Sequence, residues 1–222
     1  RAPKGRTDFL TVAEWKKLLA ALAADPPPAK GKTRQRWPTK DVIPIIRTLL
    51  YTGGRLTEVL EMTWADVDLE GKTLILNRKK TDSVTGLRIS PPLASVLEAL
   101  PRGIGGARVF AQANGLPWEA YHVQRAFYRA RDAAGLRSSL SVHSLRHSFA
   151  SWLVMDGVPL RTVSELLGHS DIVQTSRYAH LAPSHLAAAV DRIGDIESRE
   201  PGSGGTQAPR EAAPIPIDRG RR

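Results

Sequence analysis

Between His143 and Tyr178 the chain reads HSLRHSFASWLVMDGVPLRTVSELLGHSDIVQTSRY, with His143, Arg146, His169 and Tyr178 as its chemistry-bearing side chains. An imidazole can take up or release a proton near neutral pH. A guanidinium is planar and always charged, and it can hold two oxygens of an anion at once. A phenol, with an ordinary pKa of about 10, becomes a nucleophile only beside a proton acceptor or in positive surroundings. His143 and Arg146, three apart, project from the same side of a helix. Upstream, Arg55 and Glu58 have the same spacing just after Gly53-Gly54, and Lys79-Lys80 lies between two strand-like runs. His143 and His147 could share a metal ion, but no third ligand accompanies them. Without an acidic cluster of metal-ligand type, the chemistry is expected to run with neither metal nor other cofactor.

The elements that must position these groups follow from the apolar spacing. Val142, Leu145, Phe149 and Leu153 mark one buried side of a helix, which leaves His143 and Arg146 facing out. Asp156-Gly157 breaks that helix and Pro159 suits the first turn of the next. The second helix carries Val163, Leu166 and Leu167 inward and stops at Gly168, a natural left-handed helix end. His169 therefore emerges just past a helix terminus, and Tyr178 falls on or near a further short helix.

Earlier in the chain, Thr11 with Glu14 forms a capping box for a first helix through Leu18, Leu19 and Leu22. Asp25 to Lys40 is a loop of prolines and cations, including Lys30, Lys32, Arg34 and Arg36. It is longer than most connections in a compact domain, so it is either a solvated charge run or a DNA contact. Val42 to Tyr51 reads as an apolar helix ended by Gly53-Gly54, and Arg55 opens another through Met62. At that junction an arginine could simply cap carbonyls. Thr73 to Asn77 and Leu87 to Ser90 read as a β-hairpin across a turn at Asp82 to Gly86. Pro91-Pro92 introduces a helix, and Trp118 to Ala134 is one that bears Arg125 and Arg129. Residues 184 to 193 carry an apolar stripe through Leu186, Val190 and Ile193, and the stretch from Pro201 onward is expected to be disordered. Helices dominate around one small sheet, which makes the fold class α+β.

The 222 residues suffice for one core of ordinary domain size. A formal charge of +10 favours a polyanionic partner without separating DNA from RNA or an anionic membrane. There is no cysteine, hence no disulfide or thiolate metal site. No apolar run approaches the ~18 residues of a membrane span.

HSLRH, then LLGHSD, then Tyr178 resemble the C-terminal half of the tyrosine recombinase (phage integrase) catalytic domain. The resemblance implies a TG-x-R-x-x-E element upstream and then a hairpin lysine; Thr52-Gly53-Gly54-Arg55-Leu56-Thr57-Glu58 and Lys80-Thr81 stand in those places. It further implies a mainly helical DNA breaking-and-rejoining fold, with a catalytic domain over residues 1–194, a disordered tail over 195–222 and the N-terminal core-binding domain absent. On this reading Tyr178 attacks a phosphodiester to give a 3′-phosphotyrosine, with Arg55 and Arg146 holding the charge that grows on the non-bridging oxygens. His143 serves as proton acceptor, His169 hydrogen-bonds the phosphate, Glu58 orients its neighbours and Lys80 protonates the 5′ leaving oxygen. Lys79 would point to the opposite face of its strand. Lys30, Lys32, Arg34, Arg36, Arg125 and Arg129 are the expected DNA-binding cations. The implied partner is double-stranded DNA, bound by a homotetramer on paired sites that is monomeric in isolation, in the cytoplasm at the nucleoid. Ser144 and Gly54 depart from the family, which often carries Asp and a larger apolar residue there. Two rival readings share part of the pattern: a type IB topoisomerase, with similar chemistry, and a helix-turn-helix regulator using Ser170, Gln174 and Arg177. The second leaves Arg55, Lys80 and the His143/Arg146 pair unexplained.

Overall fold

A computed structural model describes residues 8–27, 38–78, 83–169 and 171–182. Helix α1 (Val12–Ala24) begins at the expected capping box: Glu14 donates its backbone N–H to Thr11 Oγ1 (3.2 Å) and accepts from the Thr11 N–H (2.8 Å). The helix buries Trp15, Leu18 and Leu22 and ends at Asp25 in the left-handed region, φ 47°. The Asp25 carboxylate then accepts from the Thr39 N–H (2.7 Å) and hydroxyl (2.9 Å), which ties together the two sides of the cationic loop. After a 3₁₀ turn at Thr39–Val42, helix α2 (Ile43–Thr52) runs through the core with Ile45, Ile46, Leu49 and Leu50 buried. Helix α3 (Leu56–Glu61) follows across the two glycines.

The sheet has three antiparallel strands in sequential order, β1 (Val67–Asp68), β2 (Thr73–Arg78) and β3 (Ser83–Arg88). Thr73 pairs with Arg88 and Arg78 with Ser83. The returning strand thus begins earlier than its Ser, Thr and Gly content suggests: the stretch expected to turn, up to Gly86, is ladder, with Gly86 opposite Ile75. Leu74, Leu76 and Leu87 face the core, as the two-residue strand period requires.

Helices α4 (Pro91–Glu98), α5 (Ala120–Ala133), α6 (His143–Met155), α7 (Leu160–Leu167) and α8 (Val173–Ser176) complete the described part, with a 3₁₀ turn at Ala179–Leu181. Helix α6 is central. The segment before α1 is pinned to it: the Leu10 N–H donates to Ser148 Oγ and Trp152 Nε1–H donates to the Leu10 carbonyl, both at 2.8 Å. The outward-facing side expected on α6 is only half right. His143 is exposed, but Arg146 is 4% exposed and turned into the protein, and Ser144, Ser148 and Ser151 are buried too. A helix clamped between α2, α7 and the N-terminal segment has no fully solvated face, and Ser144 and Ser148 are carried inward on local partners. Ser148 Oγ–H donates to the Ser144 carbonyl (2.7 Å) and Ser144 Oγ accepts from the Ser141 N–H (3.0 Å). Two apolar clusters result: a large one, and a smaller one of Ala150, Val154, Val163, Leu167 and Tyr178 between α6 and α7. Among the described residues no helix is long and apolar enough to cross a membrane.

Candidate active site

Gly53 fixes the entry of the first arginine. It caps α2 with φ 62°, and a Cβ there would come within 2.5 Å of Phe149 Cδ1 on α6, so both backbone conformation and space require glycine. Gly54 is tight as well, with Leu76 and Val59 carbons at 3.1 Å from a Cβ position; the larger residue common in the family is crowded out here. Arg55 follows at the N-terminus of α3. Glu58, 8% exposed, accepts from the Arg55 backbone N–H (2.9 Å) and from its guanidinium (2.6 Å). The expected orienting role of Glu58 therefore has a geometry: one carboxylate holds both ends of Arg55.

Arg146 is held from two directions. Nη1–H donates to the Gly53 carbonyl (2.6 Å) and Nη2–H to the Leu167 carbonyl (2.8 Å). Those carbonyls belong to residues at two helix C-termini, where the last carbonyls lack helical partners. Gly168, at φ 60°, ends α7 and turns the chain so that the His169 N–H bonds back to the Ser164 carbonyl (3.0 Å). His169 Nδ1 meets Thr175 Oγ1 at 2.8 Å, and Thr175 is fully buried.

Tyr178 lies just beyond α8. Its ring packs in the smaller cluster at 2% exposure, so it is a core aromatic as well as a candidate nucleophile. Its hydroxyl, however, reaches the rim of a cleft of about 140 Å³ lined also by Arg55, His143, Arg146, His147, His169, Gln174 and Arg177. The structure sets His147 Nδ1 at 2.7 Å from that hydroxyl. His143, the expected proton acceptor, lines the same cleft and packs its ring edge-on to His147 at 4.6 Å between centroids.

Partial desolvation at the cleft, reinforced by Arg146, Arg55 and Arg177, holds His143 below the ordinary imidazole range although part of the residue remains exposed. Burial and then His143, Arg177 and Arg146 push His147 down to about 4, against a smaller opposing effect from Asp8. Burial also keeps the Tyr178 proton on more tightly than in a free phenol, an effect that Arg177 and Arg146 partly offset. The cleft is thus a positive, partly desolvated pocket in which the His143 and His147 imidazoles are held neutral, suited to an oxyanion and to a proton leaving the phenol.

Arg55, His143, Arg146, His169 and Tyr178 are therefore brought together from four separate segments. Lys80 and Lys79, with Lys30, Lys32, Arg34 and Arg36, lie outside the described residues, as do the stripe at 184 to 193 and the tail. Arg125 stacks on Tyr121 (5.3 Å to the ring centroid) and bonds its hydroxyl. Arg129 pairs with Asp25 and its side chain is 11% exposed, so its charge is committed to joining α5 to the end of α1. His147, Gln174 and Arg177 are the members of the cleft to which the recombinase resemblance gave no role; Gln174 and Arg177 entered only as base contacts of the helix-turn-helix reading. His147 sits one helical turn after His143 and was weighed only as a metal ligand; its adjacency to Arg146 was the available signal. Among the described residues no group of His, Asp and Glu could hold a metal ion.

The model of the phage integrase family matches residues 8–185. The integrase of Salmonella phage P22 is 28% identical over 213 residues, 82% of this chain and 53% of that protein. Tyrosine recombinase XerC of Bradyrhizobium diazoefficiens is 30% identical over 199 residues, 84% of this chain and 59% of its own length. The chain spans a little over half the length of these curated relatives. Among solved structures, the catalytic domain of bacteriophage HP1 integrase superimposes with a TM-score of 0.64 at 29% identity, over 88% of this chain and all of that one. The Tn1549 transposon integrase, solved with transposon right-end DNA, gives a TM-score of 0.68 at 20% identity over 86% of this chain and 67% of that one. At that identity the second likeness speaks for the fold.

Proposed function

Because the chain belongs to the phage integrase family, we propose that it is a site-specific recombinase that breaks and rejoins double-stranded DNA through a covalent bond to Tyr178. Tyr178 Oη attacks the scissile phosphorus, the bond to the 5′-oxygen breaks, and a 3′-phosphotyrosine and a free 5′-hydroxyl result. The observation that carries this reading is the convergence of Tyr178 with Arg55, Arg146 and His169 on one cleft. Arg146 is buried and fixed before any substrate arrives, so its charge needs no reorganisation as the transition state forms. The phosphoryl bond energy is stored on the tyrosine, so rejoining needs no nucleotide. His143 and His169 hydrogen-bond the phosphoryl oxygens, and Lys80, the residue that the family resemblance assigns, protonates the 5′-oxygen. Reciprocal exchange between two duplexes breaks four strands, and each protomer brings one Tyr178, which asks for a tetramer on paired sites.

The test uses a pool of nicked suicide duplexes randomised around the nick, from which the released 5′ fragment diffuses away. Wild-type chain should become linked to a subset of sequences, seen as a slow band in denaturing gels and identified by sequencing the bound strand. Tyr178→Phe should retain DNA affinity and form no such band. A band of equal strength from Tyr178→Phe would refute the nucleophile, and linkage with no sequence preference would point to a topoisomerase instead.

A further inference from the structure

We infer that His147, through Nδ1, takes the proton from the Tyr178 hydroxyl as the phenolic oxygen attacks phosphorus, and returns it when the strand is rejoined. The inference rests on the reading of Tyr178 as nucleophile and adds the group that activates it.

The geometry is direct. Tyr178 Oη and His147 Nδ1 are 2.7 Å apart, inside the range for a proton-transferring pair. The tyrosine is 2% exposed, with its ring packed in the smaller cluster, and His147 Nδ1 is the partner the structure gives its O–H; a largely buried donor left without one costs free energy. If Nδ1 carried the hydrogen, two donors would share the phenolic oxygen and the O–H would lose its acceptor. The phenol therefore donates and Nδ1 accepts, which puts the ring hydrogen on Nε2. His147 is held from several sides: its backbone is in α6, its ring packs against the rings of His143 and Tyr178, and the charges acting on it are Arg146 on α6, Arg177 beside the tyrosine and Asp8 on the N-terminal segment. Burial and the cations keep the free ring neutral, the state a proton acceptor must have. Arrival of the phosphodiester brings negative charge next to those cations, which favours the imidazolium at the moment the proton transfers. Bonds balance: Oη–P forms, P–O5′ breaks, the phenolic proton moves to Nδ1, and the acid of the proposed mechanism supplies a separate proton to the 5′-oxygen. His143 is left to face the phosphoryl oxygens.

The experiment is single-turnover formation of the covalent band, using a suicide duplex recovered with wild-type chain, as a function of pH. Wild type should be flat between about pH 5.5 and 8, because His147 is already neutral there. His147→Asn keeps an acceptor oxygen near the Nδ1 position but cannot hold a proton; His147→Ala keeps neither. Both should be slower by about 10²- to 10⁴-fold at neutral pH, and their rates should rise about tenfold per pH unit as hydroxide takes over. Incorporating a fluorinated, more acidic tyrosine at position 178 should recover much of the loss in both variants. A lost contact alone would give a lower rate with the wild-type pH profile and no such recovery. That result, or wild-type rates in both variants, would overturn the inference while leaving Tyr178 as nucleophile. Failure of wild type itself to link through Tyr178 would overturn both.

Discussion

Arg146 uses two of a guanidinium's five N–H donors to bridge carbonyls from different helix ends before it touches any substrate. A lysine ammonium keeps the charge but lacks the fork that spans Gly53 and Leu167. Arg146→Lys should therefore lose about 10²- to 10³-fold in covalent complex formation and about 1–3 kcal/mol of stability, because buried carbonyls lose their donor. Single-turnover cleavage and chemical denaturation measure the two losses separately. A second residue-scale consequence is acid sensitivity. The folded chain refuses a proton at His147 until about pH 4, whereas the unfolded chain accepts one near the ordinary value of about 6.5. Unfolded molecules therefore bind more protons between those values, and stability must fall as pH drops through that window. The contribution is on the order of 2–3 kcal/mol after allowance for solvent. Denaturation midpoints of wild type and His147→Gln at stepped pH should lie closest near neutrality and separate in acid, with the wild type falling further.

At the scale of elements, the turn joining α2 to α3 is where position is decided. Gly53→Ala places a methyl 2.5 Å from Phe149 Cδ1 in a left-handed backbone. We expect a loss of about 2–4 kcal/mol from strain and overpacking together, with Arg55 displaced and cleavage reduced more than DNA affinity. Thermal unfolding with a parallel binding curve checks both. This turn was legible in the sequence, as were the Thr11 capping box and the Gly168 stop, because glycine and capping residues act within a few positions of themselves. The burial of Arg146 was not, since its acceptors lie 93 and 21 residues away. Nor was the pairing of His147 with Tyr178, separated by 31 residues. Helical spacing shows which side chains share a face; it is silent on what packs against that face. The start of β3 at Ser83 was missed for a similar reason: its composition favours a turn, and the ladder with β2 overrides it.

For the whole molecule, charge governs encounter with DNA. A formal charge of +10 predicts binding dominated by phosphate contacts. With about six such contacts, affinity should fall about 10³-fold between roughly 50 and 200 mM salt. Fluorescence anisotropy of a labelled duplex in stepped potassium chloride measures the slope. Selected and unrelated duplexes should share it, because the phosphates they present are alike.

The double clamp on Arg146 also bears on the life of the chain before it is finished. Gly53 is made before Arg146, but Leu167 follows Arg146 by 21 residues. At about 5–20 residues per second, that interval is about 1–4 seconds. During that time the guanidinium lacks the Leu167 carbonyl, and Tyr178 has not been made. On the recombinase reading, a nascent or partly unravelled chain keeps the charge that would attract DNA but lacks the assembled centre that would cut it. Loosening of α7 alone, which removes the Leu167 carbonyl, would return the finished protein to the same incompletely assembled centre.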